Sequence, residues 1–184
     1  MLAVVAGLVA VLAIVITAGA VAIAAFGSVN PGGPPPGTMV FAENDHTHVE
    51  GTVKYDRVPP AGGPHNPIQL NCGIYTVPVP NENAVHSLEH GAVWITYEPS
   101  LATDQIAALQ QLVRANYVGP ERYLILSPHI GLPAPIVASA WGAQLYAQNA
   151  SDPNLLAFVR HYAGGSQGGE PGGPCTGGIG NPIT

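Results

Sequence analysis

The first thirty residues, Met1–Asn30, contain no Asp, Glu, Lys, Arg or His, and the first charge in the chain is Glu43. Cations are scarce throughout. There are five Lys and Arg in 184 residues; Lys54 is the only lysine, and Arg57, Arg114, Arg122 and Arg160 are scattered. A nucleic-acid backbone needs clustered cations to displace its counterions, so this scarcity, with a net charge of −6, argues against nucleic acid as a partner. It argues equally against electrostatic docking on anionic headgroups. Only two cysteines occur, Cys72 and Cys175, and they form no C-x-x-C. No serine or cysteine stands in a setting that suggests a nucleophile.

What fills the uncharged start is apolar. Leu2–Phe26 is an almost unbroken run of Ala, Val, Leu, Ile and Gly, with Thr17 its only hydroxyl. About 20 helical residues cross a ~30 Å hydrocarbon core, so this run is long enough to span. A secretory signal has a basic start and a shorter apolar region. Neither is present, although Ala22-Ile23-Ala24 offers small residues of the cleavage type. Residues 1–27 are therefore read as a transmembrane anchor that contacts membrane lipid. Residues 28–41, with the run SVNPGGPPPG, are a Pro/Gly linker.

Residues 42–163 are read as one His-rich α+β domain: a small, mostly antiparallel sheet with two or three helices. Strands are expected at Val53–Tyr55, Gly73–Val79, Ala92–Tyr97, Tyr123–Leu126 and Ile136–Ser139, the second at a sheet edge because it contains Pro78. Helices are expected over Leu101–Tyr117, capped by Thr103, over Gly142–Gln148, and from Ser151-Asp152-Pro153 to Tyr162. Residues 164–184 are a Gly/Pro-rich tail expected to lack regular structure. A disulfide between Cys72 and Cys175 would hold that tail against the domain in an oxidising compartment; the alternative is a pair of thiolate metal ligands.

Five of the seven histidines lie between residues 46 and 90: His46, His48, His65, His86 and His90. His46 and His48 share one side of an extended chain, and His86 and His90 share one face of a helical turn. Imidazole suits copper, zinc, nickel and iron. The expected ligands are His65, His86 and His90, with His48 next; Glu89 and Asp45 are candidates to orient them. Copper is the expected metal and zinc the runner-up. His129 and His161 are read as structural. The string His86-Ser87-Leu88-Glu89-His90 also matches H-x-x-E-H, the inverted zinc-protease motif. That chemistry needs a third ligand downstream and a helix holding both histidines, whereas Gly91 and a strand follow here at once.

His48, PPAGGPH (Pro59–His65), CGIY (Cys72–Tyr75), VHSLEHGAVWITY (Val85–Tyr97) and SAWG (Ser139–Gly142) together resemble the bacterial domain-of-unknown-function family 3105, over about His48 to Tyr162. Ala61 and Gly62 stand where that family's proline loop commonly carries hydroxyls. The resemblance implies one N-terminal membrane segment with the domain outside, and implies that His48, His65, His86, Glu89 and His90 meet in space. It implies no activity. The reading that results is a membrane-anchored, extracytoplasmic metal-binding protein of the cell membrane. Its rivals are an accessory subunit of a larger membrane complex and a small metal-dependent enzyme.

Overall fold

The computed structural model describes residues 32–117 and 122–183. Pro34–Thr184 is one compact unit. The anchor expected over residues 1–27 lies outside the described residues, as does Ala22-Ile23-Ala24; among the described residues no helix is long and apolar enough to cross a membrane.

A six-stranded sheet organises the domain. Its strands are β1 (Thr38–Val40), β2 (Gly73–Ile74), β3 (Val93–Tyr97), β4 (Leu124–Pro128), β5 (Ile136–Ala140) and β6 (Ala143–Ala147), in the spatial order β1-β6-β5-β3-β4-β2. Three helices accompany it: α1 (Asn81–Glu89), α2 (Thr103–Asn116) and α3 (Pro153–Tyr162). The class is α+β, as expected, but the sheet is mixed. β1, β6, β5 and β3 run antiparallel to one another, while β3, β4 and β2 are parallel. Helix α2 joins β3 to β4, and this crossover makes their parallel pairing possible.

Alternation along the central strands divides the core into two layers. Val93, Ile95 and Tyr97 of β3, with Leu124 and Leu126 of β4, face Leu109 and Val113 of α2 and Leu155, Phe158 and Val159 of α3. Trp94 and Ile125 face the opposite way, toward Ala84, Val85 and Leu88 of α1, and toward Trp141 and the Cys72–Cys175 pair. Each fully buried Leu, Ile or Phe contributes about 1.5–3 kcal/mol relative to exposure. The sheet thus presents a stable wall on which the second face carries the polar site.

Several expectations change. Gly142–Gln148 is not a helix: Ala143–Ala147 is β6, paired with β5 from Ile136↔Ala147 to Ala140↔Ala143. Ala, Gln and Leu favour helix intrinsically, but Gly142 at φ +67° reverses the chain in two residues and commits it to a hairpin. Val53–Tyr55 forms no strand, and Gly73–Val79 shortens to Gly73–Ile74, at the sheet edge as its proline implied. Thr38–Val40, inside the span read as linker, pairs with β6. Helix α2 starts after Ala102 without a side-chain cap, so Thr103 is its first residue rather than its cap. At α3 Asp152 accepts from the Asn154 backbone N–H at 2.9 Å, with Pro153 in the first turn.

The two cysteines form a disulfide with Cα atoms 5.3 Å apart, closing a separation of 103 residues. The tail contains no helix or strand among its described residues, yet it is held at many points. Cys72 N–H donates to Cys175 O, Asn71 N–H to Ile179 O, and Ile183 N–H to Ile74 O.

Candidate metal centre

The site is assembled from four chain segments. The first two are locked by backbone pairing. Val49 N–H donates to His65 O at 2.7 Å and His65 N–H to Thr47 O at 3.0 Å, an isolated parallel bridge that sets His48 beside His65. Their ring centroids lie 4.8 Å apart. The loop after His65 is fastened to α1 in turn: Asn83 Nδ2 donates to Ile68 O, and Ser87 Oγ donates to Leu70 O while accepting from Leu70 N–H. Helix α1 therefore buries a polar face. Ala84, Val85 and Leu88 enter the core, while His86, Glu89 and His90 turn to the histidines.

His86, within α1, lies 4.9 Å from His48 and 5.0 Å from His65 between ring centroids. One donor atom from each of His48, His65, His86 and Glu89 falls within a common 4.8 Å. His65, His86 and Glu89 are buried; His48 is 40 % exposed at its side chain and forms the rim.

The hydrogen bonds of these rings determine where their lone pairs point. His65 Nδ1 lies 2.8 Å from Gly63 O, His86 Nδ1 2.6 Å from Asn66 O, and His90 Nδ1 2.6 Å from Pro174 O. A carbonyl oxygen only accepts, so each Nδ1 carries hydrogen and each neutral ring leaves a bare lone pair on Nε2. Backbone carbonyls, not Glu89, thus fix the orientation of these rings, the arrangement expected of metal-ligating histidines. His65 Nε2 and Glu89 Oε2 then face each other at 2.8 Å, and neither has a hydrogen-bond partner. His86 Nε2 faces His90 Nε2 at 2.9 Å. Either a proton or a metal ion between them relieves the opposition of these electron pairs, and the second is what a group of three imidazoles and a carboxylate is able to hold. Burial holds His86 below the ordinary imidazole value, with the neighbouring imidazoles His90, His65 and His48 adding and the Asn66 bond opposing. That direction keeps its lone pair free at neutral pH.

Glu89 differs from its expected role. It belongs to the donor group itself, and its other oxygen, Oε1, takes the Nδ1 hydrogen of His46. His46 stacks on Trp141 at 4.6 Å, and the Trp141 ring also meets His65 edge-on at 5.7 Å. His46 and Trp141 therefore orient Glu89 and His65. Asp45 is not among the donors; it accepts from Thr47 N–H at 3.1 Å and shapes the turn before His48.

His90 is separated from the first group as well. It joins His86 and Glu170 in a second group of three donors within 4.8 Å of one another, with His90 Nε2 3.3 Å from Glu170 Oε2. The H-x-x-E-H string occupies the last turn of a nine-residue helix, with His90 as its C-cap. Glu170, 80 residues after His90, supplies a downstream donor that sequence reading missed. It is the only charged residue of the tail.

The tail's glycines are what let it cross the site. A Cβ on Gly168 would sit 2.0 Å from Glu89 O, on Gly169 2.6 Å from His46 Nδ1, and on Gly173 2.5 Å from the His90 ring. Gly168→Ala must push backbone from backbone, and is expected to destabilise the protein by about 1–3 kcal/mol in a urea melt. An unchanged midpoint would contradict this packing.

His129 and His161 stand apart from both groups. His129 packs against Trp94 at 5.7 Å and His161 against Tyr162 at 4.6 Å. Burial holds His129 below 6.5, against its Ile130 hydrogen bond and the charge of Glu98. The unfolded chain then takes up this proton first as pH falls. The contribution of His129 is complete above 6.5 and lost as pH falls through its folded value. His129→Gln is expected to flatten the decline of metal-free stability between about pH 7 and 5; identical slopes would refute the assignment.

The fold and site define a mixed α+β domain with a disulfide-fastened tail over a His/Glu cluster able to hold a metal ion. The chain belongs to the family described as protein of unknown function (DUF3105), whose model matches residues 46–177. The match extends past Tyr162 to take in Glu170 and Cys175, so the tail as far as residue 177 is part of the family domain. No curated protein and no solved structure matches the chain.

Proposed function

We propose that this protein is a membrane-anchored, extracytoplasmic domain that binds one divalent transition metal through His48, His65, His86 and Glu89. The observation that carries the reading is the convergence of unshared electron pairs on one buried point, with His65 Nε2 and Glu89 Oε2 left without hydrogen-bond partners. Three imidazoles and a carboxylate suit Cu(II) and Zn(II), and Cu(II) stands higher in the affinity order. Cu(I) favours thiolate and thioether, and the cluster contains neither. The disulfide supports an oxidising compartment. The uncharged run of residues 1–27 supports a lipid anchor, followed in sequence by a Pro/Gly linker.

The test is metal content. The full chain in detergent micelles, loaded with Cu(II) or Zn(II) and dialysed, is expected to retain one ion per chain. Its melting temperature is expected to rise by the equivalent of about 4 kcal/mol when free metal is a thousand times Kd. Absence of stoichiometric metal under both loadings overturns the reading.

A second reading, a small metal-dependent hydrolase, is favoured by Glu170, which completes a three-donor set with both histidines of H-x-x-E-H. It requires Glu89 as a base, but Glu89 is buried and engaged by His46. Turnover of peptide or ester substrates by the zinc-loaded protein, abolished by Glu89→Gln, would establish it.

A further inference from the structure

The two donor groups have one member in common, His86. Its Nδ1 is committed to Asn66 O, so the ring has a single lone pair, on Nε2, to give. A lone pair binds one ion at a time. The groups therefore cannot both be filled through His86.

We infer that His86, His90 and Glu170 form an outer station for the same ion that the inner site holds, and that the ion passes between the two by pivoting on His86 Nε2. This rests on the reading of His48, His65, His86 and Glu89 as a metal site. Three observations support it. His90 Nε2 lies 2.9 Å from the shared nitrogen, so His90 is already in place to take the ion as an inner ligand lets go. Each station has one solvent-facing donor, His48 at 40 % exposed and Glu170 at 54 %, and Glu170 carries the only negative charge of the tail. His90 is also gripped by the tail, through the Pro174 carbonyl and the close approach of Gly173 to its ring. The outer station is thus built on the tail, with the exposed Glu170 carboxylate turned to solvent to meet a hydrated cation. The cargo is a divalent cation.

The test uses Glu170→Gln in the full chain, with Cu(II) or Zn(II) as the probe. Because Glu170 is exposed, the variant is expected to keep the wild-type melting temperature without metal. Wild type is expected to bind one ion. The variant is expected to bind one ion with Kd changed less than about threefold, but to load and to release it to excess chelator about tenfold more slowly, since the charge that attracts and hands on the cation is gone. His90→Gln serves as the second variant and is expected to slow both rates in the same way. Two ions bound tightly by wild type overturn the shared-ligand inference, and so do variant rates equal to wild type, while both leave the inner site standing. No ion bound by wild type overturns the inner site, and the inference with it.

Discussion

His86→Ala is expected to remove stoichiometric metal, lowering Cu(II) and Zn(II) affinity by at least about 100-fold. Its nitrogen is the only donor common to both groups, so no rearrangement within the cluster replaces it. The stability of the metal-free protein is expected to move much less. Alanine loses the Asn66 hydrogen bond, about 1 kcal/mol, but also relieves the opposed lone pairs of His86 and His90 at 2.9 Å and favours the helix. A large loss of affinity with a small change in the metal-free urea midpoint marks a ligand; a collapse of both would mark a structural histidine. Titration with a metal-indicator competitor, run beside a urea melt, reads the two quantities separately.

Replacing Cys72 and Cys175 together by alanine is expected to have the largest effect on folding. The bridge closes a loop over a separation of 103 residues, and the chain-entropy account of such a loop gives about 4–5 kcal/mol, with measured losses of about 2–5. The effect should not stop at stability. The freed tail carries Glu170, the Pro174 carbonyl that orients His90, and the glycines packed on Glu89 and His46. The outer station is therefore expected to be lost in the same variant, slowing metal release to a chelator as Glu170→Gln does. A urea midpoint shifted by less than about 1 kcal/mol would show that backbone bonds such as Asn71 to Ile179 hold the tail without the bridge.

The elements read best from sequence are those whose packing is apolar. β3, α2, β4, β5 and α3 bury aliphatic side chains at helix or strand period, so their patterns carry the signal. The sequence shows helix α1 only as a short turn, because Asn83, His86, Ser87 and Glu89 are buried beside Ala84, Val85 and Leu88 and break its apolar pattern. Those side chains are satisfied by the loop from Asn66 to Leu70 and by one another, which no local pattern announces. Its N-cap is Pro80, without a side-chain cap. The histidines were visible as a cluster, but their partition was not. The His48↔His65 bridge is a long-range pairing, and it draws His48 into the first group while His90 falls to the second. Glu170 was hidden in a segment whose glycines read as freedom from structure. Here they serve close approach, since a Cβ at Gly168, Gly169 or Gly173 would strike the site itself. A lone acid in a glycine-rich tail, tied by a cysteine to a histidine domain, was the available clue.

X-ray absorption at the metal edge of the loaded full chain tests the central claim most directly. The account predicts an inner shell of nitrogen and oxygen at about 2.0–2.1 Å, with the multiple-scattering signature of three imidazoles and no sulfur. In His86→Ala that signature should be lost. A shell containing sulfur, or one of oxygen alone without imidazole, would contradict the site.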